Sequence, residues 1–343
     1  MTVEEQVRGL GAPVDHNRER SETMRVLSGI QPSGALHIGN YMGAIRQYID
    51  LQRGNDAYYF VANYHALTSV RDAETLRRYT FDVIADLLAL GLDPDQATLF
   101  VQSDVPETTE LAWLLTSVTP MGWLEKCVAY KDKVQQGLPS EHGLFAYPVL
   151  QAADILLYDA DVVPVGQDQR QHLEITRDIA ERFNHVHGET FRLPRPHILD
   201  AVAVVPGLDG RKMSKSYDNT IEIFDDPKTI LKKCKKIVTD STPVEAPKDP
   251  DSDNLFQLFK LFAPLDEVAE VDARYRAGGI GYGEVKTRLA EHISRRFAEP
   301  RERRAELVAN PDRVSEVRRD AAERARKAAR AVLERARAAC GLG

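Results

Sequence analysis

The spacing of apolar residues changes period several times along the chain. Met24-Arg25-Val26-Leu27 reads as a short buried strand, and Tyr41, Met42, Ile45, Tyr48 and Ile49 then recur at helical spacing. The intervening stretch SGIQPSGALHIGN, residues 28–40, is therefore the turn from a strand into a helix. The alternation continues with strands over 57–61, 98–102 and 161–165. Helices are predicted over 75–91, in two pieces between 108 and 134, and from about 168 to 184. In 75–91, Leu76, Thr80, Val83, Ile84, Leu87 and Leu88 make one apolar face, and Gly91 followed by Pro94 supplies the stop. Such alternation predicts an α/β fold with a mostly parallel sheet covered by helices. Ligands of such sheets bind beyond the carboxyl ends of the strands, where residues 28–40 lie.

Beyond residue 206 the strand signals end. Ile230, Leu231, Cys234, Ile237 and Val238 mark an amphipathic helix, and 254–263, 265–276, 283–297 and 312–340 predict further ones. The pattern divides the chain into a flexible N-terminal extension (1–23), an α/β domain (24–206) and a loop with an all-helical domain (207–343). The Pro- and Asp-rich stretch 243–253 is short enough to be a loop. The 312–340 helix carries many charges around a thin apolar stripe, so it is expected as a solvated surface helix with i,i+4 pairs, with direct contact to an RNA as the alternative.

Composition narrows the picture only a little. With 343 residues and 43% hydrophobic side chains the chain builds a core of ordinary size. No run approaches the ~18 apolar residues of a spanning helix, and the N-terminus has no signal-like apolar segment, so a cytoplasmic protein without a membrane is expected. A net charge of −7 argues against a general polyanion-coating protein, while leaving room for a local basic face that binds RNA. Cys127, Cys234 and Cys340 are far apart and form no CxxC pair, so neither disulfides nor a zinc site is expected.

Two stretches carry chemistry. Where the turn enters its helix, free backbone amides are exposed, and Gly29, Gly34 and Gly39 permit close approach of a phosphate. His37 and Asn40 add two neutral side chains; their plain alternative role is to cap the helix. Far downstream, RKMSKS over 211–216 puts Lys212 and Lys215 among small hydroxyl residues after Gly207, Asp209 and Gly210, which reads as a mobile loop.

An HIGN turn followed by KMSKS resembles the class I aminoacyl-tRNA synthetases. The blocks SGIQPSGALHIGNYMGA, AYPVLQAADILLYDADVVPVGQDQRQHLEITRDIAERFN over 146–184, and KMSKSYDN narrow the resemblance to the tryptophanyl family. That resemblance implies a Rossmann-like catalytic domain with a helical dimer-interface region, and a C-terminal all-helical domain that binds the anticodon. It implies tryptophan activation by ATP with Mg²⁺, transfer to tRNA(Trp), and a homodimer. In the usual HIGH signature the last position is His; here it is Asn40, as is usual in bacterial members of the family.

By the same resemblance His37, Gly39 and Asn40 hold the phosphates and ribose side of ATP. Gln31, with Pro32 and Ser33, lies at the α-phosphate and carboxylate. Lys212, Met213, Ser214, Lys215 and Ser216 close over the pyrophosphate, and Lys133 in YKDK assists at ATP. Gly166, Gln167 and Asp168 take the ribose, with N-capping as the alternative for Asp168, and Gln169 contacts the amino acid. Val204, in VAVVPG, faces adenine. Asp154 accepts the indole N–H, and His65 in NYHALT is either structural or near the substrate.

One trio points elsewhere. Tyr147, Gln151 and Asp154 (Y-x-x-x-Q-x-x-D) are shared with tyrosyl-tRNA synthetases, so tyrosine is the alternative amino acid, and Gln151, with Leu27, makes the pocket atypical for tryptophan. A nucleotidylyltransferase shares a histidine-glycine turn but has no KMSKS. A non-catalytic synthetase-like binding protein is the other rival. Trp113, Trp123 and the apolar 111–124 run read as core or dimer interface. With Cys234 alone in its region, no iron–sulfur cluster is expected.

Overall fold

The computed structural model describes residues 23–127, 130–131, 141–165, 170–198 and 205–343. Five parallel strands form one sheet: β1 (Arg25–Ile30), β2 (Asp56–Val61), β3 (Ala97–Val101), β4 (Val162–Val165) and β5 (Arg195–Ile198), in the order β3-β2-β1-β4-β5. This is the parallel α/β sheet expected from the alternation. Val26, Leu27, Tyr59, Val61, Leu99 and Val101 are almost completely buried, as strands covered on both faces require. β5 was not legible: its sequence, RPHI, lacks an apolar run.

The helix expected over 75–91 spans Ala73–Leu90. Asp72 caps its start by accepting from the Thr75 N–H at 2.7 Å, and Gly91, at φ 111°, ends it in the left-handed region. The helix after β1 is not uniform. Ile38–Asn40 is α-helical, Tyr41–Ile45 is a π-helical turn, and Arg46–Leu51 is α-helical again. Wide turns of this kind re-aim side chains and recur near functional sites.

Contacts divide the chain differently from the expected boundary between 206 and 207. One compact unit gathers Ala35–Arg46 with Asp200–Glu306, and the other gathers the sheet, Gln47–Leu199 and Leu307–Gly343. In the first, the helices Pro227–Lys235, Asn254–Phe262 and Tyr282–Arg296 bury Ile230, Cys234, Leu255, Phe259, Leu289 and Ile293. Tyr41 belongs to this core: its ring meets Phe297 edge-on at 5.0 Å, and its hydroxyl accepts from Arg296 at 2.8 Å.

In the second unit the helix Pro311–Ala339 is not a solvated surface helix. Ala321, Ala325, Ala329, Val332, Leu333 and Ala336 are buried, and the small side chains let it pack on the edge strand β3 and the helix Glu107–Thr116. Its arginines find distant carboxylates rather than i,i+4 partners. Arg318 grips Asp104 through both oxygens at 2.6 and 2.7 Å, Arg326 and Arg330 converge on Glu107, and Arg335 reaches Asp159 at 2.7 Å. Trp123 packs against the same core, whereas Trp113 is 73% exposed.

Candidate active site

From His37 onward the turn is held by residues 221–223. The Ile38 N–H donates to Ile221 O at 3.0 Å and the Ile223 N–H donates to Leu36 O at 3.0 Å, so His37 and Glu222 face each other in an antiparallel bridge. Within the turn the His37 N–H donates to Asn40 Oδ1 at 3.1 Å, while the Asn40 N–H donates to His37 O at 2.8 Å. Asn40 therefore does perform the capping role, through its oxygen.

The His37 ring is 6% exposed, and its Nδ1 is buried without a hydrogen-bond partner among the described residues. Gly39 makes the space for it: a Cβ there would lie 2.9 Å from His37 Nδ1 and 3.4 Å from Met213 Cβ. Burial, and then the charge of Lys215, push the imidazole down to about 4. The ring is thus neutral at physiological pH, and Nδ1 has no partner among the described residues.

That lowered pKa has a measurable consequence. Histidine in the unfolded chain titrates near 6.5, so the unfolded state binds more protons between about pH 6.5 and about pH 4, and stability falls as pH drops through that window. The His37 share of acid destabilisation between pH 7 and pH 4.5 is expected to be about 2–3 kcal/mol. Urea unfolding at both pH values should show that share disappear in His37→Gln.

The lysine-bearing loop lies in the same unit. The Gly207 N–H donates to Arg211 O at 2.7 Å and the Met213 N–H donates to Val205 O at 2.9 Å. Asn219, 2% exposed, organises the loop: Oδ1 accepts from the Ser214 N–H at 2.8 Å, and Nδ2 donates to Asp209 Oδ1 at 2.6 Å and to Lys212 O at 3.2 Å. Gly207 permits this approach, since a Cβ there would sit 2.2 Å from Asn219 Nδ2. Met213 is buried, Ser214 and Lys215 are half-buried, and Lys212 and Ser216 are exposed. Ser214 Oγ accepts from the Ser216 N–H at 3.3 Å. The loop thus faces His37 with Met213 and with the Lys215 charge.

The sheet unit holds the other candidates. Tyr147, Gln151 and Asp154 stand on one face of the helix His142–Leu156. Asp154 is 3% exposed; its Oδ2 lies 2.8 Å from His65 Nε2, and Gln102 Nε2 donates to both carboxylate oxygens at 2.8 Å. The Tyr147 hydroxyl lies 2.6 Å from His172 Nε2, and burial pushes it up to about 12, so it stays protonated. Gln31 Nε2 donates to Ser69 Oγ at 3.3 Å and His65 O at 3.4 Å, tying the end of β1 to the segment after β2. Pro32 is buried and Ser33 exposed. Gln151 is half-buried, and Leu27 is fully buried within β1. A cavity of about 420 Å³ is lined by His65 and Tyr147 together with Tyr64, Leu67, Leu144 and Leu150. Apolar walls with a few polar groups suit an aromatic side chain.

The family of tRNA synthetases class I (W and Y) matches residues 19–298. The tryptophan–tRNA ligase of Rhodopirellula baltica is 57% identical over 319 residues, covering 93% of this chain and all of its own, and that of Fusobacterium nucleatum is 52% identical, with 93% and 98% covered. The chain belongs to the class I tryptophanyl-tRNA synthetases. Among solved structures, the tryptophanyl-tRNA synthetase of Campylobacter jejuni complexed with ADP and tryptophan superposes with a TM-score of 0.87 at 49% identity, covering 93% of this synthetase and 100% of that chain.

Of the synthetase residues singled out by resemblance, Lys133, Gly166, Gln167, Asp168, Gln169 and Val204 lie outside the described residues. The structure brings His37, Gly39, Asn40, Met213 and Lys215 together in one unit, and His65 with Asp154 in the other. His65 lines the cavity and bonds Asp154. Sequence reasoning missed Gln102, His172 and Asn219. Gln102 had a usable signal, since it is a polar residue at the carboxyl end of a strand. Among the described residues, no three His, Cys, Asp or Glu side chains are placed to share a metal ion.

Proposed function

We propose how the residues of this chain divide the work of a tryptophan–tRNA ligase. The chain activates tryptophan with ATP, forming tryptophanyl-adenylate and pyrophosphate, and transfers the amino acid to its tRNA. The observation that carries the division is the neutral, buried His37, its Nδ1 open and the Lys215 charge close enough to depress its pKa.

In this reading the tryptophan carboxylate attacks the α-phosphorus and pyrophosphate leaves. Charge builds on the phosphate oxygens, and no side-chain nucleophile takes part, so positioning and charge stabilisation are the protein's tasks. His37 and Asn40 hold phosphate oxygens at the helix start. Lys212 and Lys215 take up the charge that develops on the departing pyrophosphate, and the loop organised by Asn219 presents them. Gln31, Pro32, Ser33, Gly166, Gln167, Asp168 and Val204 complete the nucleotide site, with Lys133 assisting. The donors at the turn and the loop are an imidazole, an amide, hydroxyls and lysines, which suit a Mg²⁺ ion that arrives on the phosphates of ATP.

Asp154 accepts the indole N–H, with Tyr147, Gln151, His65 and Gln169 around the amino acid. A buried acceptor left unpaired rejects side chains that cannot donate to it, which separates substrates without editing. The helical segments within 207–306 form the anticodon-binding domain, while the helix Pro311–Ala339 stays with the sheet unit. A homodimer is supported by exposed apolar surface at Trp113 and Met121, 73% and 64% accessible. No helix among the described residues is long and apolar enough to cross a membrane, and we assign the protein to the cytoplasm, where its tRNA is.

ATP–pyrophosphate exchange with tryptophan and with tyrosine supplied separately tests this reading. Exchange is expected with tryptophan only. Exchange with tyrosine alone would make the Tyr147, Gln151, Asp154 trio a phenol reader, and exchange with neither would make the chain a binding protein.

A further inference from the structure

The carboxyl ends of β2 and β3 are stitched together by hydrogen bonds that the activation chemistry does not use. Asn63 Nδ2 donates to Ser103 Oγ at 2.8 Å, and the Ser103 N–H donates back to Asn63 Oδ1 at 3.1 Å. Beside them the Tyr64 N–H donates to Gln102 Oε1 at 2.9 Å. This contact decides which way the Gln102 amide faces: with its oxygen on Tyr64, its NH₂ group points to Asp154 and reaches both carboxylate oxygens at 2.8 Å. Gln102 is completely buried, so it has no water to turn toward.

Asp154 is therefore not a free acceptor waiting in a pocket. Its carboxylate has about four lone-pair directions. Gln102 occupies the edge shared by both oxygens, and His65 occupies one direction of Oδ2. Both contacts come from residues that the stitched strand ends hold in place, so the carboxylate plane cannot rotate without breaking them. The remaining acceptor capacity points where the two neighbours leave room.

We propose that Gln102 is the positioning residue for amino-acid selection: it locks the Asp154 carboxylate in the orientation that reads a ring N–H on the substrate. This rests on the reading of Asp154 as the indole acceptor. Gln102 need not touch tryptophan; it acts by denying Asp154 any other orientation. Its effect is confined to substrates that donate a ring hydrogen.

The test compares tryptophan with 3-(benzothiophen-3-yl)alanine, in which sulfur replaces the indole N–H, in ATP–pyrophosphate exchange by the full-length chain. Gln102→Met removes the donor with little change of volume. Gln102→Glu keeps an acceptor for the Tyr64 N–H and sets a second carboxyl group against Asp154. In each, the preference for tryptophan in kcat/KM is expected to fall about tenfold or more, through KM for tryptophan. The thiophene analogue is expected to hold its kcat/KM within about twofold, and KM for ATP to stay constant. A purely structural role would depress both amino acids together, and that outcome, or an unchanged preference, overturns the proposal. If Gln102→Met does not fold, Gln102→Glu decides by the same ratio. Asp154→Ala, which leaves no side-chain acceptor at this position, separates the two levels. If it keeps the wild-type preference, the reading of Asp154 itself fails. If it loses the preference while both Gln102 variants keep it, only the role of Gln102 fails.

Discussion

Replacing Lys215 with alanine is expected to lower kcat for tryptophan-dependent ATP–pyrophosphate exchange by about 10²–10³, with KM for tryptophan changed less than about twofold. The cause is the charge that must be stabilised. As pyrophosphate leaves, negative charge grows on oxygens that carried less of it in the ground state. A cation held there favours the transition state over bound ATP, and so appears in kcat. The loop supplies two lysines, but their settings differ: Lys212 is exposed, whereas Lys215 is half-buried and its charge is felt by the His37 ring. A half-buried charge is less screened by water and salt. Lys212→Ala is therefore expected to lose less than Lys215→Ala.

The same variant gives a second readout. Removing the Lys215 charge takes away the smaller of the two causes that depress the His37 pKa, while burial, the larger, remains. The ring is expected to titrate higher than in the wild type and still below 6.5, as followed by NMR of its Cε1 proton. A variant that lost activity while the His37 titration stayed put would place Lys215 away from the phosphate-facing turn.

Asp154→Ala is expected to lower kcat/KM for tryptophan by about 10³–10⁴ and to destabilise the fold as well. Three side chains converge here, and the carboxylate bonds two of them. Without it the Gln102 NH₂ group is left buried with no acceptor, which costs about 1–3 kcal/mol. The Tyr158 hydroxyl is buried without a hydrogen-bond partner among the described residues, and its pKa is raised by burial and then by Asp154. Steady-state exchange and urea unfolding on one preparation check both halves: full retention of tryptophan kcat/KM would remove Asp154 from amino-acid recognition.

The helix at the carboxyl terminus shows where local pattern misleads. Its charges recur at spacings that would make i,i+4 pairs, and its apolar stripe consists mostly of alanine. Alanine reads as weakly hydrophobic by itself, but it allows close approach of backbones, and β3 lies within reach only in the folded chain. The arginines then pair with Asp104, Glu107 and Asp159, which stand more than a hundred residues away in sequence. A helical pattern states that a face exists; it does not state what covers it.

Much was determined by the sequence alone because the physical cause was local. A short apolar run between turn residues makes a strand, 3.6-residue spacing makes a helix, Asp72 and Gly91 cap one, and HIGN with KMSKS carries its chemistry in adjacent residues. Tertiary structure decided whatever depends on distant groups meeting. That includes β5, whose RPHI sequence becomes a strand by pairing with β4, and the joining of residues 35–46 to the helical unit. It includes the neutrality of His37, which comes from the burial of its ring and from the charge of Lys215 far along the chain. It also includes Gln102, which reads in the sequence as the last residue of a strand. Hydrogen-bond donors acquire roles from the acceptors that folding brings to them, and no spacing along a chain records that meeting.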